Sequence, residues 1–320
     1  MTWLTCEPAR RLLLRLDDLL ADSARCNDAD LAEVARHLLR RRGKRLRPAL
    51  LFVAAGFGPG GDERALLRAA AAIELLHLAT LYHDDVMDRA DTRRGVRTAN
   101  ARWGDAQAVT AGTFLFARAT RLLDELDPRV ARWAGQGAVE LALGQLQETE
   151  SAYDLDHQIV SYLRVAARKT GALFELPCRA GALLGGAGEE DLECLAVYGR
   201  ALGLAFQAMD DVLDFTADES ALGKRLGTDL REGVYGLPVL IALQRPGAAE
   251  LRGVLEIDDP DDDDLARAHG LIAESGALTH ARAVAGDYSG QAVAAALRLP
   301  GGPARQSLID LSQYVLLRAN

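Results

Sequence analysis

The sequence predicts an all-α protein, and three observations carry that expectation. Long stretches rich in Ala, Leu, Arg and Glu run between only ten prolines. Aromatic residues make up 5% and β-branched residues are sparse, which leaves little from which to build a large sheet. Apolar residues also recur at helical spacing: Leu31, Val34, Ala35, Leu38 and Leu39 follow an i, i+3, i+4 pattern.

Residues 69–88 read as a helix apolar over most of its circumference, hence buried. Residues 139–150, 162–184, 192–215 and 238–243 read the same way. Breakers fall at 56–61, 127–128, 185–188, 245–247 and 300–303. None is long enough to be a linker, so 1–320 reads as a single helical domain. Six aspartates within residues 258–264, interrupted only by Pro260, read as a solvated loop or helix entry rather than a chelating site.

The 320 residues are 49% hydrophobic and 26% charged, a globular balance that excludes a disordered chain, a collagen or a disulfide mini-protein. A net charge of −9 argues against a broad basic surface for nucleic acid. Cys6, Cys26, Cys178 and Cys194 are far apart and form no CxxC pair, which fits a reducing cytoplasm and no structural zinc site. Apolar runs such as residues 75–81 stop short of the roughly 20 residues of a membrane span. The N-terminus carries Glu7, Arg10, Arg11, Arg15, Asp17 and Asp18, so no signal-peptide core is expected there.

Two acidic clusters carry the chemistry. In His83-Asp84-Asp85-Val86-Met87-Asp88, Asp84 and Asp88 are four residues apart and share a helix face. Three carboxylates at the end of an apolar helix repel one another, and a divalent cation relieves the repulsion. Mg²⁺ suits carboxylate oxygens and leaves positions open for substrate phosphates. Asp210-Asp211-Val212-Leu213-Asp214 repeats the same spacing after another apolar run. Facing each other, two such clusters would hold Mg²⁺ ions with a diphosphate between them.

The cations fit the same picture. Lys and Arg together number 37, of which only Lys44, Lys169 and Lys224 are lysines. A lysine offers a compact point charge for phosphate oxygens. Lys44 and Arg47 precede Pro48, which favours a helix first turn, so they are expected at an anion-binding helix N-terminus. Arg93 and Arg94 follow the first cluster, Lys169-Thr170 lies in a helical stretch, and Lys224 follows the second cluster.

With these elements in place the sequence resembles the trans-isoprenyl (polyprenyl) diphosphate synthases. The likeness runs from about Leu38 to the C-terminal region. It includes GKRLRP at 43–48, IELLHLATLYHDDVMD at 73–88, RRG at 93–95, Gly144-Gln145, KTG at 169–171, FQAMDDVLDF at 206–215, GKRLGTDL at 223–230 and GLPV at 236–239. The resemblance implies an all-α fold of antiparallel helices around a deep central cavity, in a single domain, and a homodimer. It implies head-to-tail condensation of isopentenyl diphosphate onto an allylic diphosphate. It places Mg²⁺, three per active site and replaceable by Mn²⁺, on Asp84, Asp85, Asp88, Asp210 and Asp211, with Asp214 in an outer role. Arg93, Lys169 and Lys224 would contact the allylic diphosphate, with Thr170 and Gln207 lining the site. Lys44, Arg47, His77 and Arg94 would bind isopentenyl diphosphate. His77 lies seven residues before Asp84, about two turns, hence on roughly the same face.

Proton loss follows carbon–carbon bond formation, and the departing diphosphate is the acceptor that the resemblance implies. The intact second cluster argues against a terpene cyclase. The retention of both clusters argues against a non-catalytic subunit of a heteromeric synthase. No GxxxxGK[ST] motif is present. The chain departs from many relatives at Thr113, where they carry an aspartate, and at Val234 and Gly236, where they carry a lysine and a threonine.

Product length is expected to depend on the helix leading to Asp84. Ala79 and Leu76 lie five and eight residues before it, about 4.5 Å apart along one strip. In fifteen-carbon synthases of this family the first position is often a bulky aromatic. Here it is alanine, so a product longer than fifteen carbons is expected, with geranylgeranyl diphosphate as the alternative. Phe114 and Phe116 are candidate stops on a neighbouring helix.

Overall fold

The computed structural model describes residues 1–41, 43–93, 95–216 and 228–317. Arg94 and Lys224 lie outside them. The described residues form α1 (Glu7–Ser23), α2 (Ala29–Arg40), α3 (Leu46–Ala55), α4 (Glu63–Met87), α5 (Ala99–Trp103), α6 (Asp105–Leu123), α7 (Pro128–Glu150) and α8 (Ile159–Ala166). A π-helical turn, Ala167–Gly171, leads into α9 (Ala172–Gly185) and α10 (Glu189–Thr216). Then follow α11 (Thr228–Arg231), α12 (Leu237–Ala242), α13 (Ala248–Leu255), α14 (Asp262–Glu274), α15 (Ala277–Leu297) and α16 (Pro303–Leu317). The strand content among the described residues is one hairpin, Thr92–Arg93 against Val96–Arg97.

Backbone contacts group the chain into two compact units. The first comprises Met1–Gln136, Leu173–Gly199 and Ala295–Leu311. Its centre is α4, on which Ala69 to Ala72, Ile73, Leu75 and Leu78 are fully buried. Asp62 starts this helix by accepting the Arg64 N–H at 2.9 Å. Close approach of α6 to α4 requires Gly112: a Cβ there would lie 2.6 Å from the His83 ring and 3.2 Å from the Ala79 carbonyl oxygen. A buried ion pair joins α3 to α4, with Arg45 Nη1 donating to Glu74 Oε1 at 2.6 Å.

The second unit comprises Gly137–Ala172, Arg200–Ala294 and Ser312–Asn320. The acidic run is a helix entry, as expected. Asp261 caps α14 and Asp264 returns the bond, forming a capping box, while Arg231 pairs with Asp262 at 2.8 Å.

Two expectations need correction. Residues 162–184 are not one helix: the chain passes from α8 through the π turn into α9. Such a turn inserts one residue into the ladder without interrupting apolar periodicity for long, so the sequence pattern hides it. The stretch 139–150 is not a buried apolar helix either. It is the C-terminal half of α7, and Val139, Leu143 and Leu146 are 59%, 40% and 55% exposed. Helical periodicity shows that these residues share a face, not that this chain covers it.

α4 is long and apolar enough to cross a membrane by length and composition, and most of it is buried in the protein, as in a core helix. All four cysteines are free. Cys6, Cys178 and Cys194 are buried, and burial pushes the Cys178 thiol well above its usual range. Native protein is therefore expected to take a thiol probe at Cys26, with the other three labelled only after unfolding, as read by mass spectrometry. Rapid labelling of Cys178 in the native state would contradict this burial.

Candidate active site: two aspartate clusters and their cations

The first cluster sits at the C-terminal end of α4. Tyr82, two residues before Asp84, is fully buried and donates its hydroxyl to the Val34 carbonyl at 2.6 Å, fixing this end of α4 against α2. The helix closes in a Schellman arrangement: Ala90 N–H donates to the Asp85 carbonyl at 2.9 Å and Arg89 N–H to the Val86 carbonyl at 3.3 Å. Arg89 takes the left-handed conformation there, with φ of 47°. Asn100 Nδ2 donates to the carbonyls of Asp85 and Ala90 at 3.1 and 3.2 Å, and Thr98 Oγ1 to that of Ala90 at 2.6 Å.

Within this frame the three aspartates separate. Asp85 is fully buried and pairs with Arg93 Nε. Asp84 is half-buried and Asp88, the C-cap, is exposed. Arg93 is thus held by Asp85, and Asp84 and Asp88 form the outer pair.

In the same unit, Lys44 and Arg47 bracket the start of α3, where the sequence places them. Arg45 between them is the buried member, in the left-handed conformation with φ of 45°. Besides Glu74, it pairs with Asp17 at 3.4 Å. Lys44 is exposed, and the Arg47 guanidinium lies 5.0 Å from the centre of the Phe174 ring. His77 is half-buried on α4.

The second cluster ends α10, and the same separation recurs. Asp211 is buried and accepts three hydrogen bonds: Tyr162 hydroxyl at 2.6 Å and Leu237 N–H at 2.8 Å on Oδ2, and Gln207 Nε2 at 2.9 Å on Oδ1. Burial pushes its carboxyl up to about 6, against the pull of these donors. Gly236 permits the arrangement, because a Cβ there would lie 2.7 Å from Asp211 Oδ2. Asp210 and Asp214 are half-buried. Thr170 Oγ1 donates to Gln207 Oε1 at 2.7 Å, and Lys169 in the π turn pairs with Glu148 of α7.

Both clusters therefore stand at helix C-termini, where the helix dipole disfavours negative charge and neither helix carries a basic residue in its last turn. Among the described residues no three acidic, histidine or cysteine side chains converge on one point. The donor set still suits a hard divalent cation: each cluster offers two carboxylates four residues apart on one face, with the third turned to a protein partner. Asp84 with Asp88, and Asp210 with Asp214, are the residues that would hold it.

A family model, Polyprenyl synthetase, matches residues 28–272. Nonaprenyl diphosphate synthase of Mycobacterium tuberculosis is 38% identical over 306 residues, covering 95% of this chain and 91% of that protein. The chain belongs to the polyprenyl synthetase family. The chain is also similar to a crystal structure of polyprenyl synthase from Caulobacter crescentus complexed with calcium and isoprenyl diphosphate. There the TM-score is 0.92 at 35% identity, covering 98% of this chain and 96% of that one. Geranylgeranyl pyrophosphate synthase of Lactobacillus brevis superposes with a TM-score of 0.93 at 31% identity, covering 99% of each chain. The chain is an all-α prenyltransferase.

Sequence reasoning missed several of its residues. Glu148 and Tyr162 hold Lys169 and Asp211 respectively, and Asn100 and Thr98 shape the end of α4. Tyr162 carries one local signal, its place seven residues before Lys169. Of the candidate length determinants, Ala79 and Leu76 are buried on α4. Phe114 is half-buried, 5.9 Å from the Arg118 guanidinium. Phe116 is 42% exposed on α6, whose other face packs on α4. Thr113 is exposed on α6 as well.

Proposed function

We propose that this chain condenses isopentenyl diphosphate head-to-tail onto an allylic diphosphate and releases a trans-polyprenyl diphosphate longer than fifteen carbons. The observation that carries this reading is the pair of carboxylate clusters at two helix C-termini, where a bound divalent cation would offset both their mutual repulsion and the helix dipoles. Bound there, Mg²⁺ would neutralise the allylic diphosphate and stabilise it as a leaving group.

The chain's own residues do the rest. Asp84, Asp88, Asp210 and Asp214 hold metal, while Asp85 and Asp211 fix Arg93 and the α10 end in place. Arg93, Lys169 and Lys224 contact the allylic diphosphate, and Thr170 and Gln207 line the site beside it. Glu148 keeps Lys169 oriented until the anion arrives. Lys44, Arg47, His77 and Arg94 hold isopentenyl diphosphate. Apolar walls exclude the water that would quench an allylic cation. The departing diphosphate takes the proton, since no basic side chain is assigned to that step.

The reading is tested with purified protein, labelled isopentenyl diphosphate, several allylic primers and Mg²⁺, with products sized by chromatography. Incorporation that stops on chelation supports it; no incorporation with any primer overturns it. Product length rests on Ala79. Replacing it with phenylalanine is expected to shorten the product by one or more isoprene units. A wild-type product of fifteen carbons, or an unchanged length in Ala79→Phe, would remove Ala79 as a determinant. The likeness to a geranylgeranyl pyrophosphate synthase favours a second reading, in which wild type stops at geranylgeranyl diphosphate.

A homodimer is part of this proposal. Val109 and Phe116 on α6 are each 42% exposed, and α7 exposes Val139, Leu143 and Leu146, more apolar surface than a water-facing helix needs. Light scattering in solution checks it. A cytoplasmic location is proposed from the four free thiols.

A further inference from the structure

Tyr162 stands outside the residues that the sequence assigned to the site, yet it makes a 2.6 Å hydrogen bond to a carboxylate of the second aspartate cluster. We propose that Tyr162 is a positioning residue for prenyl transfer: its hydroxyl holds Asp211, and through it sets the end of α10 that presents Asp210 and Asp214 to metal and diphosphate. The inference rests on the reading of the second cluster given above.

The geometry separates this role from ordinary core packing. Asp211 already receives the Leu237 N–H on the oxygen that Tyr162 contacts, and Gln207 on the other. A buried carboxylate needing only satisfaction has that from the backbone and Gln207. The tyrosine adds a charge-assisted bond from a third element. The network also runs on: Gln207 accepts from Thr170, in the π turn that carries Lys169. Tyr162 and Thr170 flank the same α8–π segment and grip the same short stretch of α10, one through Asp211 and one through Gln207. The hydrogen-bond chain thus ties the segment bearing Lys169 to the helix end bearing the aspartates. Such a chain fixes relative placement, to which metal and diphosphate binding are sensitive.

The test compares wild type, Tyr162→Phe, Asp211→Asn and the double variant as full-length proteins. Two readouts are taken: Mg²⁺ dependence of turnover, and calorimetric binding of inorganic diphosphate in the presence of Mg²⁺. Tyr162→Phe is expected to raise the half-saturating Mg²⁺ about fivefold or more, to lower kcat about tenfold, and to leave KM for isopentenyl diphosphate within about twofold. Mg²⁺-dependent diphosphate binding should weaken in step. Asp211→Asn should show the same shift in Mg²⁺ dependence, and adding Tyr162→Phe to it should change little, because the tyrosine acts through that carboxylate. Unaltered Mg²⁺ dependence in Tyr162→Phe, or independent effects that multiply in the double variant, would overturn the proposal. If Tyr162→Phe does not fold, Asp211→Asn alone decides: wild-type Mg²⁺ dependence there removes the route through Asp211. Should wild type bind Mg²⁺ and diphosphate yet transfer no prenyl group, the functional reading fails while calorimetry still tests the role of Tyr162.

Discussion

Asp84→Ala is expected to lower turnover at least about a thousandfold while the protein stays folded. Loss of one ligand from the leaving-group metal removes several kcal/mol of transition-state stabilisation, and about 4 kcal/mol corresponds to that factor. Stability should respond in the opposite sense. Asp84 is half-buried in the last turn of α4, beside buried Asp85 and the C-cap Asp88, where the helix dipole repels it. Removing it should leave stability unchanged or raise it by about 0.3–1 kcal/mol. That pairing of lost rate with retained stability distinguishes a ligand from a structural residue. Single-turnover assays with labelled isopentenyl diphosphate, with denaturant unfolding alongside, measure both. Turnover within tenfold of wild type would take Asp84 out of the metal set.

Glu74→Ala is expected to cost about 3–5 kcal/mol of stability, because it strands the Arg45 guanidinium inside the first unit. The two side chains are 3% and 7% exposed, and the second partner of Arg45, Asp17, is more distant at 3.4 Å. Replacing both partners by apolar residues, as in Glu74→Leu with Arg45→Met, should recover most of the loss. A denaturation midpoint in Glu74→Ala close to wild type would show that Arg45 reaches water or Asp17 instead. Function is affected too. Arg45 sits in the left-handed conformation between Lys44 and Arg47, so its ion pair sets the backbone from which both project.

What could be read from the sequence depends on the range of each signal. The helices that end at Met87 and Thr216, with their DDxxD spacing, were legible because apolar periodicity and a four-residue repeat are local. The three cations of Lys44-Arg45-Leu46-Arg47 were not distinguishable by type. Only the position of Glu74, 29 residues on, shows that Arg45 is the buried one. Likewise nothing near Asp211 in sequence announces Tyr162, 49 residues before it. The roles inside each cluster were hidden for the same reason: Asp84, Asp85 and Asp88 differ in what they face, not in kind. The exposure of Val139, Leu143 and Leu146 escaped because a helical stripe reports a shared face and says nothing of which element lies over it.

The π turn at Ala167–Gly171 has a bearing on insertions and deletions. Each residue of an α-helix advances the chain by about 100° and 1.5 Å. Deleting any one residue of this turn would let α8 run into α9 as uninterrupted α-helix, a local gain in regular hydrogen bonding. The wide turn absorbs its extra residue within itself, so the flanking helices would keep nearly the same phase, and the deletion would instead carry Lys169 or Thr170 off its partner. Substitutions within the five residues disturb one contact each, whereas a change of length disturbs all of them together. Across related chains the number of residues between Tyr162 and Gly171 should therefore vary less than their identities.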